Sequence, residues 1–486
     1  MSKYYLRVEG INFNSFVLDT NRIKAIRGGS LMLLNSVGWL EEQITELDCI
    51  TAGASWGLFS FEAENACQAG KMLDSVRRSF NGDERYKHTT MALAVLPAGD
   101  EKDYPKTRAR LETLSRWQQM QSPAVAIPSV PKGETVFGTC TMDKLRPATQ
   151  INYLRREGDE DKEEHVSASC RVRWVEDAKE RKPKKEDVVV QRKSFYEKRT
   201  HITGLKFTED LHQLSQGKEY GNLHEKMAVI YLDGNHFGNL ARDYCTTEER
   251  QRRFDKKLRR QFQNGALTTL LNKIKDDPEW KNGDRIRLET LLWGGDEIIW
   301  VVPAWQGWRM LGRFFQITKD WEIGDKKLTH GAGLVYCHCT APIQPIIGLV
   351  KELGEMAKGD RQSNRVAYQV LESFDHTGAD LEKVRESRWP LTDKGAMILP
   401  GDTMLEADDA VKAIKQTDLP KRQLYRIAQT AFGDIEKAEQ IADQLKTDEI
   451  QPYWSTLEQG LGEGLPAWLH LLELWNYLGL EKEGLS

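Results

Sequence analysis

The stretch LLWGGDEIIW, Leu291 to Trp300, sets two glycines and two adjacent carboxylates between apolar runs. LETLLW and IIWVVPAW read as strands, and the Gly-Gly and acids between them read as the turn of a β-hairpin. Alone, such a turn also suits a solvated hairpin tip. A second segment changes the reading. MAVIYLDGNHFGNL runs an apolar strand into Asp233 and Gly234, so Asp233 falls at a strand end, where binding groups gather in sheet architectures. If the two strands are neighbours, Asp233, Asp296 and Glu297 converge on one point.

Three unpaired carboxylates that close repel one another and raise their own pKa values, so the arrangement calls for a cation. Mg²⁺ (or Mn²⁺) suits hard oxygen ligands and keeps waters while bridging substrate phosphates. Two such ions can clamp the attacking and leaving oxygens of an in-line phosphoryl displacement. Gly294 and Gly295, with no side chains, let a triphosphate approach the turn backbone.

The same pattern occurs earlier in the chain. YYLRVEGINFNSF, RGGSLMLLNSV and DCITAGASWGLFSFEA match, in order, MAVIYLDGNHFGNL, QNGALTTLLNKI and LETLLWGGDEIIWVVPA. Each half runs a strand into an acid and Gly (Glu9-Gly10, Asp233-Gly234) with Phe three residues on, then a Gly-small-Leu helix start, then a second strand broken by small residues. The two halves read as copies of one α+β unit. Setting AGAS on GGDE places Ala54 at Asp296 and Ser55 at Glu297, so only the second copy keeps the acids.

With 486 residues, two to four domains are expected. Lys plus Arg number 69 against 73 for Asp plus Glu, and a formal charge of -4 gives no global attraction to nucleic acid or an anionic membrane. The opening MSKYYLRVEG lacks a basic segment followed by an apolar core, and no run reaches the length of a spanning helix, so a cytoplasmic protein is expected. Seven scattered cysteines form no CxxC pair and no disulfide framework is expected.

Between the copies, about Pro105 to His224, the runs REGDEDKEEH and EDAKERKPKKED read as solvated surface, and DVVVQRK as a short strand. Beyond about Phe374 the pattern turns helical, with Leu424, Ile427 and Ala431 spaced by three and four, and Trp468, Leu472 and Trp475 likewise; this aromatic stripe reads as core.

In this context GGDE resembles the catalytic palm shared by GGDEF nucleotide cyclases and the large polymerase-like subunit of type III CRISPR effector complexes. YLDGNHFGNL is similar to that subunit's strand-Asp-Gly element and LLWGGDEIIWVVP to its acidic hairpin. LTHGAGLVYCHCTAPIQPIIGLVKELGEMAK is similar to the following Gly-containing strand and Pro-started helix, SNRVAYQVLES to the next strand, and LPKRQLYRIA to the opening of its helical tail. RGGSLMLL resembles its degenerate first palm. The resemblance implies an α+β fold: a ferredoxin-like first palm over 1–104, a mixed middle domain over 105–224, a catalytic ferredoxin-like palm over 225–375 and a helical bundle over 376–486.

It further implies that Asp233, Asp296 and Glu297 are catalytic metal ligands for Mg²⁺ or Mn²⁺. Gly294 and Gly295 meet the phosphates, Lys358 neutralises triphosphate charge, and Gly28, Gly29 and Ser30 face a second nucleotide. In this family the 3′-hydroxyl of one nucleoside triphosphate attacks the α-phosphate of another, giving cyclic or linear oligoadenylate messengers from ATP in antiviral defence. The expected partners are ATP, crRNA, target RNA and other effector subunits, with no membrane. The chain departs from the pattern at Asn235, where a second acid is common, and at Glu297, commonly Asp. It has no His-Asp dipeptide, so no HD-type nuclease is expected. Cys140 and Cys170 stand singly where the family pairs zinc cysteines, so zinc is not expected; Cys337, His338 and Cys339 read as structural parts of a strand.

Alternatives are a catalytically silent scaffold of a crRNA-guided complex, a stand-alone cyclic-nucleotide synthase, and a diguanylate cyclase. Intact acids in one copy beside a silent copy speak against the first, and two fused palms against the last.

Overall fold

The computed structural model describes residues 1–486 apart from 12, 124, 128, 131, 155–161, 175–191, 295, 360, 373–388, 392–393 and 481–486. EDAKERKPKKED and most of DVVVQRK and REGDEDKEEH therefore lie outside the described residues, as does Gly295. The chain divides into two compact units. The first holds Met1–Thr203, Phe237–Gly265 and Leu291–Gly295; the second holds Gly204–His236, Ala266–Thr290 and Asp296–Ser486.

The first unit opens with strand β1 (Ser2–Ile11), helix α1 (Ile23–Gln43), strands β2 (Asp48–Ala52) and β3 (Trp56–Ala63), helix α2 (Ala66–Gly82) and strand β4 (Thr90–Pro97). Its antiparallel sheet has the order β2-β3-β1-β4, the arrangement of a β-α-β-β-α-β ferredoxin-like unit. Because β1 is central, residues of both its faces are buried: Tyr4, Tyr5, Leu6 and Val8. Helix α3 (Tyr104–Gln121) lies on β4 and β1, with Tyr104 edge-on to Tyr5 at 5.6 Å between ring centroids.

The middle segment adds the hairpin β5 (Gln150–Leu154) and β6 (Lys162–Val166) and the short helix α4 (Ala168–Arg173). RGGS does not open helix α1; the helix starts five residues before Gly28, at Ile23.

In the second unit β7 (Lys226–Gly234) is the central apolar strand, buried from Met227 to Gly234. Helices α5 (Phe237–Tyr244) and α6 (Glu248–Lys256) follow β7 in sequence but belong to the first unit. There Thr51 donates its hydroxyl to Asp255 at 2.7 Å, Tyr5 to Glu248 at 2.9 Å, and Arg108 donates to the carbonyls of Ala241 and Cys245.

A π-helical stretch (Lys257–Gln263) continues α6 into α7 (Asn264–Ile274), so Gly265 too sits inside a helical run.

Next come β8 (Glu289–Gly294), β9 (Glu297–Pro303), α8 (Gly307–Thr318), β10 (His330–His338), α9 (Ile343–Ala357), β11 (Arg365–Val370) and β12 (Ile398–Pro400). The sheet order β8-β9-β7-β10-β11-β12 repeats the first sheet's order in its first four strands. β10 and β11 run parallel, joined by α9 as crossover.

Helices α10 (Met404–Lys415), α11 (Lys421–Ala431), α12 (Ile435–Gln444), α13 (Gln451–Leu461) and α14 (Leu465–Leu474) form the helical tail. Leu424, Ile427 and Ala431 are buried on α11, and Trp468 stacks on Trp454 at 4.2 Å, as core residues should; Leu472 and Trp475 are half-buried. The Tyr368 hydroxyl, 2.7 Å from His470 Nδ1, ties the sheet to the tail. Among the described residues no helix is long and apolar enough to cross a membrane.

Candidate active site

Asp233 is the penultimate residue of β7, and Glu297 is the first of β9. The β9–β7 register pairs Ile298 with Leu232, so one step further sets Glu297 across from Asp233. Asp296 sits in the turn before β9, where its carbonyl accepts the Gly234 N–H at 3.2 Å. Hairpin and central strand thus bring all three acids to one edge of the second unit's sheet.

The face above them is built from glycines. Gly331 and Gly333 on β10 pair with Asp233 and Tyr231. A Cβ on Gly333 would lie 1.9 Å from the Val350 carbonyl oxygen, and one on Gly331 2.7 Å from Lys358 Cγ. Helix α9 therefore lies directly on the strand, started by Pro342 and ending where Lys358 reaches back over the acids. Lys358 forms ion pairs with Asp233 and, at 2.6 Å, with Glu355.

Burial pushes the Asp233 carboxyl above its usual range; Lys358 opposes the shift, while the charges of Glu297 and Glu355 add to it. The Asp296 carboxyl is pushed up to about 7 by burial and then by the charge of Asp233 and Glu297. Burial works against the Lys358 ammonium, but its hydrogen bonds to Asp233 and Glu355 outweigh that and hold its pKa raised.

This donor set fits a hard divalent cation. Three carboxylates share one edge with the Lys358 ammonium, and the two shifted ones are held above their ordinary range by burial and by neighbouring acids, Glu297 and Glu355 for Asp233, Asp233 and Glu297 for Asp296. Asn235 adds a further acceptor: its amide nitrogen donates to Thr329 and Ser363, while its Oδ1 is buried with no partner among the described residues.

The remaining sequence candidates lie differently. A Cβ on Gly294 would fall 2.0 Å from Ala54 Cβ, so packing against the first copy's hairpin by itself demands glycine there. Gly28, Gly29 and Ser30 are buried within α1, and a Cβ on Gly29 would come 3.1 Å from Arg173 Cδ and 3.4 Å from Val17. His236 is exposed, in the left-handed region with φ 56°. Cys337 and Cys339 are buried and His338 exposed, bonded to Thr340 at 2.8 Å.

Cys140 and Cys170, far apart in sequence, are neighbours in the first unit. With Asp143 their ligand atoms lie within 4.8 Å of one another, all three residues buried. Two cations already serve this cluster: Arg173 donates to Cys170 Sγ at 3.3 Å and Arg146 to Asp143 at 3.1 Å, both arginines also pairing with Asp19.

Tyr231, Glu355 and the Gly331–Gly333–Gly354 face escaped the motif reading. Tyr231 was reachable by strand alternation, since it stands two residues before Asp233 and shares its face.

No family model and no curated protein matches the chain. Its fold is similar to that of Csm1 from T. onnurineus, at 14% identity and TM-score 0.56, over 98% of this chain and 69% of that one. It is similar also to a Csm1–Csm4 cassette in complex with AMPPNP (13% identity, TM-score 0.57, 98% and 69% covered). A third likeness is a Csm1–Csm4 cassette with cA4 (12%, TM-score 0.51, 97% and 69%). The class of fold is therefore that of a type III CRISPR large subunit, as the motif resemblance anticipated. The particular fold shared is that of Csm1.

Proposed function

We propose that the chain is a divalent-metal-dependent nucleotidyltransferase that joins ATP into cyclic or linear oligoadenylates, with the second copy as catalytic palm and the first as its degenerate partner. The observation that carries this reading is the convergence of Asp233, Asp296 and Glu297 at one sheet edge, under Lys358, in a fold whose first copy carries Ala54 and Ser55 in place of the acids. Similar Csm1–Csm4 structures are complexes with AMPPNP, pppApA and cA4, which supports adenine nucleotides as substrates and products.

Asp233, Asp296 and Glu297 would hold the ion, with Asn235 Oδ1 as a further acceptor. When bound, Mg²⁺ or Mn²⁺ supplies positive charge against the triphosphate. Lys358 exchanges its contact with Asp233 for phosphate oxygens, which leaves the ammonium paired and frees the carboxylate. Gly294 and Gly295, having no side chains, would let phosphates approach the turn backbone, and Gly28, Gly29 and Ser30 are the residues assigned to the second nucleotide. The new bond joins one ATP's O3′ to the α-phosphorus of another; the bond to the β-phosphate breaks, pyrophosphate leaves and the 3′-hydroxyl proton is released.

A crRNA-guided complex with a Csm4-like subunit, responding to target RNA, is the setting we favour, because the similar structures include assemblies with Csm4. The test is ATP-dependent pyrophosphate release with Mg²⁺. Asp296→Ala with Glu297→Ala should abolish it, with a melting curve to establish that the variant is folded. Release undiminished in that variant would sink the metal assignment.

A further inference from the structure

We infer that Tyr231 is the positioning residue that makes a glutamate usable at position 297, an inference that rests on the metal-site reading above. The Tyr231 hydroxyl donates to Glu297 Oε1 at 2.9 Å. In the antiparallel register Tyr231 pairs with Ile299 and Asp233 stands opposite Glu297, so tyrosine and glutamate are diagonal neighbours on one face, within reach of long side chains.

The tyrosine is fixed before it makes that bond. It is 2% exposed, and its ring lies so close to helix α9 that a Cβ on Gly354 would be 2.5 Å from Cδ1. The Lys351 ammonium stands 5.5 Å from the ring centroid. A hydroxyl on so constrained a ring is a fixed point in space.

Glutamate carries one more rotatable bond than aspartate and would otherwise spread its carboxylate over several positions. Anchoring Oε1 selects one, and leaves Oε2, which accepts no hydrogen bond from a described residue, to face a cation. Hydrogen bonds from outside the ligand set orient metal ligands, and their loss commonly weakens metal binding by roughly 10- to 100-fold. The glycine of α9 and the tyrosine of β7 thus act together: without the close helix the ring would swing, and without the ring the carboxylate would.

The test is Mn²⁺ binding to the full chain without nucleotide, measured by calorimetric titration and by the electron paramagnetic resonance of free Mn²⁺, with melting curves to establish folding. Tyr231→Phe keeps the packed ring and should weaken Mn²⁺ binding about tenfold. In a Glu297→Asp background, where the shorter side chain does not reach the hydroxyl, the same substitution should change binding by less than about twofold. Unchanged or tighter binding in Tyr231→Phe, or an equal loss in both backgrounds, overturns the inference. Asp296→Asn separates this failure from that of the underlying reading: if wild-type Mn²⁺ binding survives Asp296→Asn and Asp233→Asn, the metal site itself is misassigned.

Discussion

Lys358 shows how much a single side chain decides at this edge. It is held between Asp233 and Glu355, half-buried, where it offsets part of the charge the three acids concentrate. Lys358→Met should therefore have opposite effects on two ligands: weaker binding of a non-hydrolysable ATP analogue, and divalent-ion binding that is at least as tight without nucleotide, both readable by titration calorimetry. A second residue predicts a pH dependence in the other unit. His88 is 4% exposed, its ring nitrogens have no partner among the described residues, and burial, followed by the charges of Lys87, Arg146 and Arg173, lowers its pKa to about 3. Its unfolded form binds a proton near its ordinary 6.5, so between those values the unfolded state holds more protons. The contribution is fully present above pH 6.5 and is lost as pH falls toward 3. The melting temperature should fall on acidification through that window, and His88→Phe should flatten the dependence.

Elements explain why some of the site was readable and some was not. Asp233, Asp296 and Glu297 stand out in the sequence because each closes or opens an apolar strand at a glycine, and local pattern is enough to mark them. Lys358 was reached only by family resemblance, since nothing local says that the end of a helix folds back over a strand. Tyr231 needed the register of β7 against β9, which depends on pairing between distant segments. The proximity of Cys140 and Cys170 is likewise invisible when the cysteines are read along the chain. The glycine face is the element-scale prediction. Gly333→Ala would push α9 off β10, because its Cβ meets the Val350 carbonyl at 1.9 Å. Such overpacking costs about 1–3 kcal/mol, visible in a denaturant titration, and product formation should drop with it as Lys358 is displaced.

At the scale of the whole molecule, two sheets that share the order of four strands account for the repeat seen in sequence, and the absence of the acids from one copy accounts for the asymmetry. The compact units do not follow the linear segments: α5 and α6, which follow β7, are built into the first unit through Glu248, Gln251 and Asp255. That interleaving was not legible, because the helices' partners on β1, β2 and α3 lie over a hundred residues earlier in the chain. Under the function proposed above, a duplicated fold with one acidic edge would serve a reaction between two like nucleotides. The most direct measurement is to incubate the purified protein with Mg²⁺ and each labelled nucleoside triphosphate, with and without co-purified RNA, and to resolve the products by mass. Oligoadenylate from ATP alone, absent in the Asp296→Ala, Glu297→Ala variant, is the predicted result; no product under any condition, or the same product from the variant, would contradict the account.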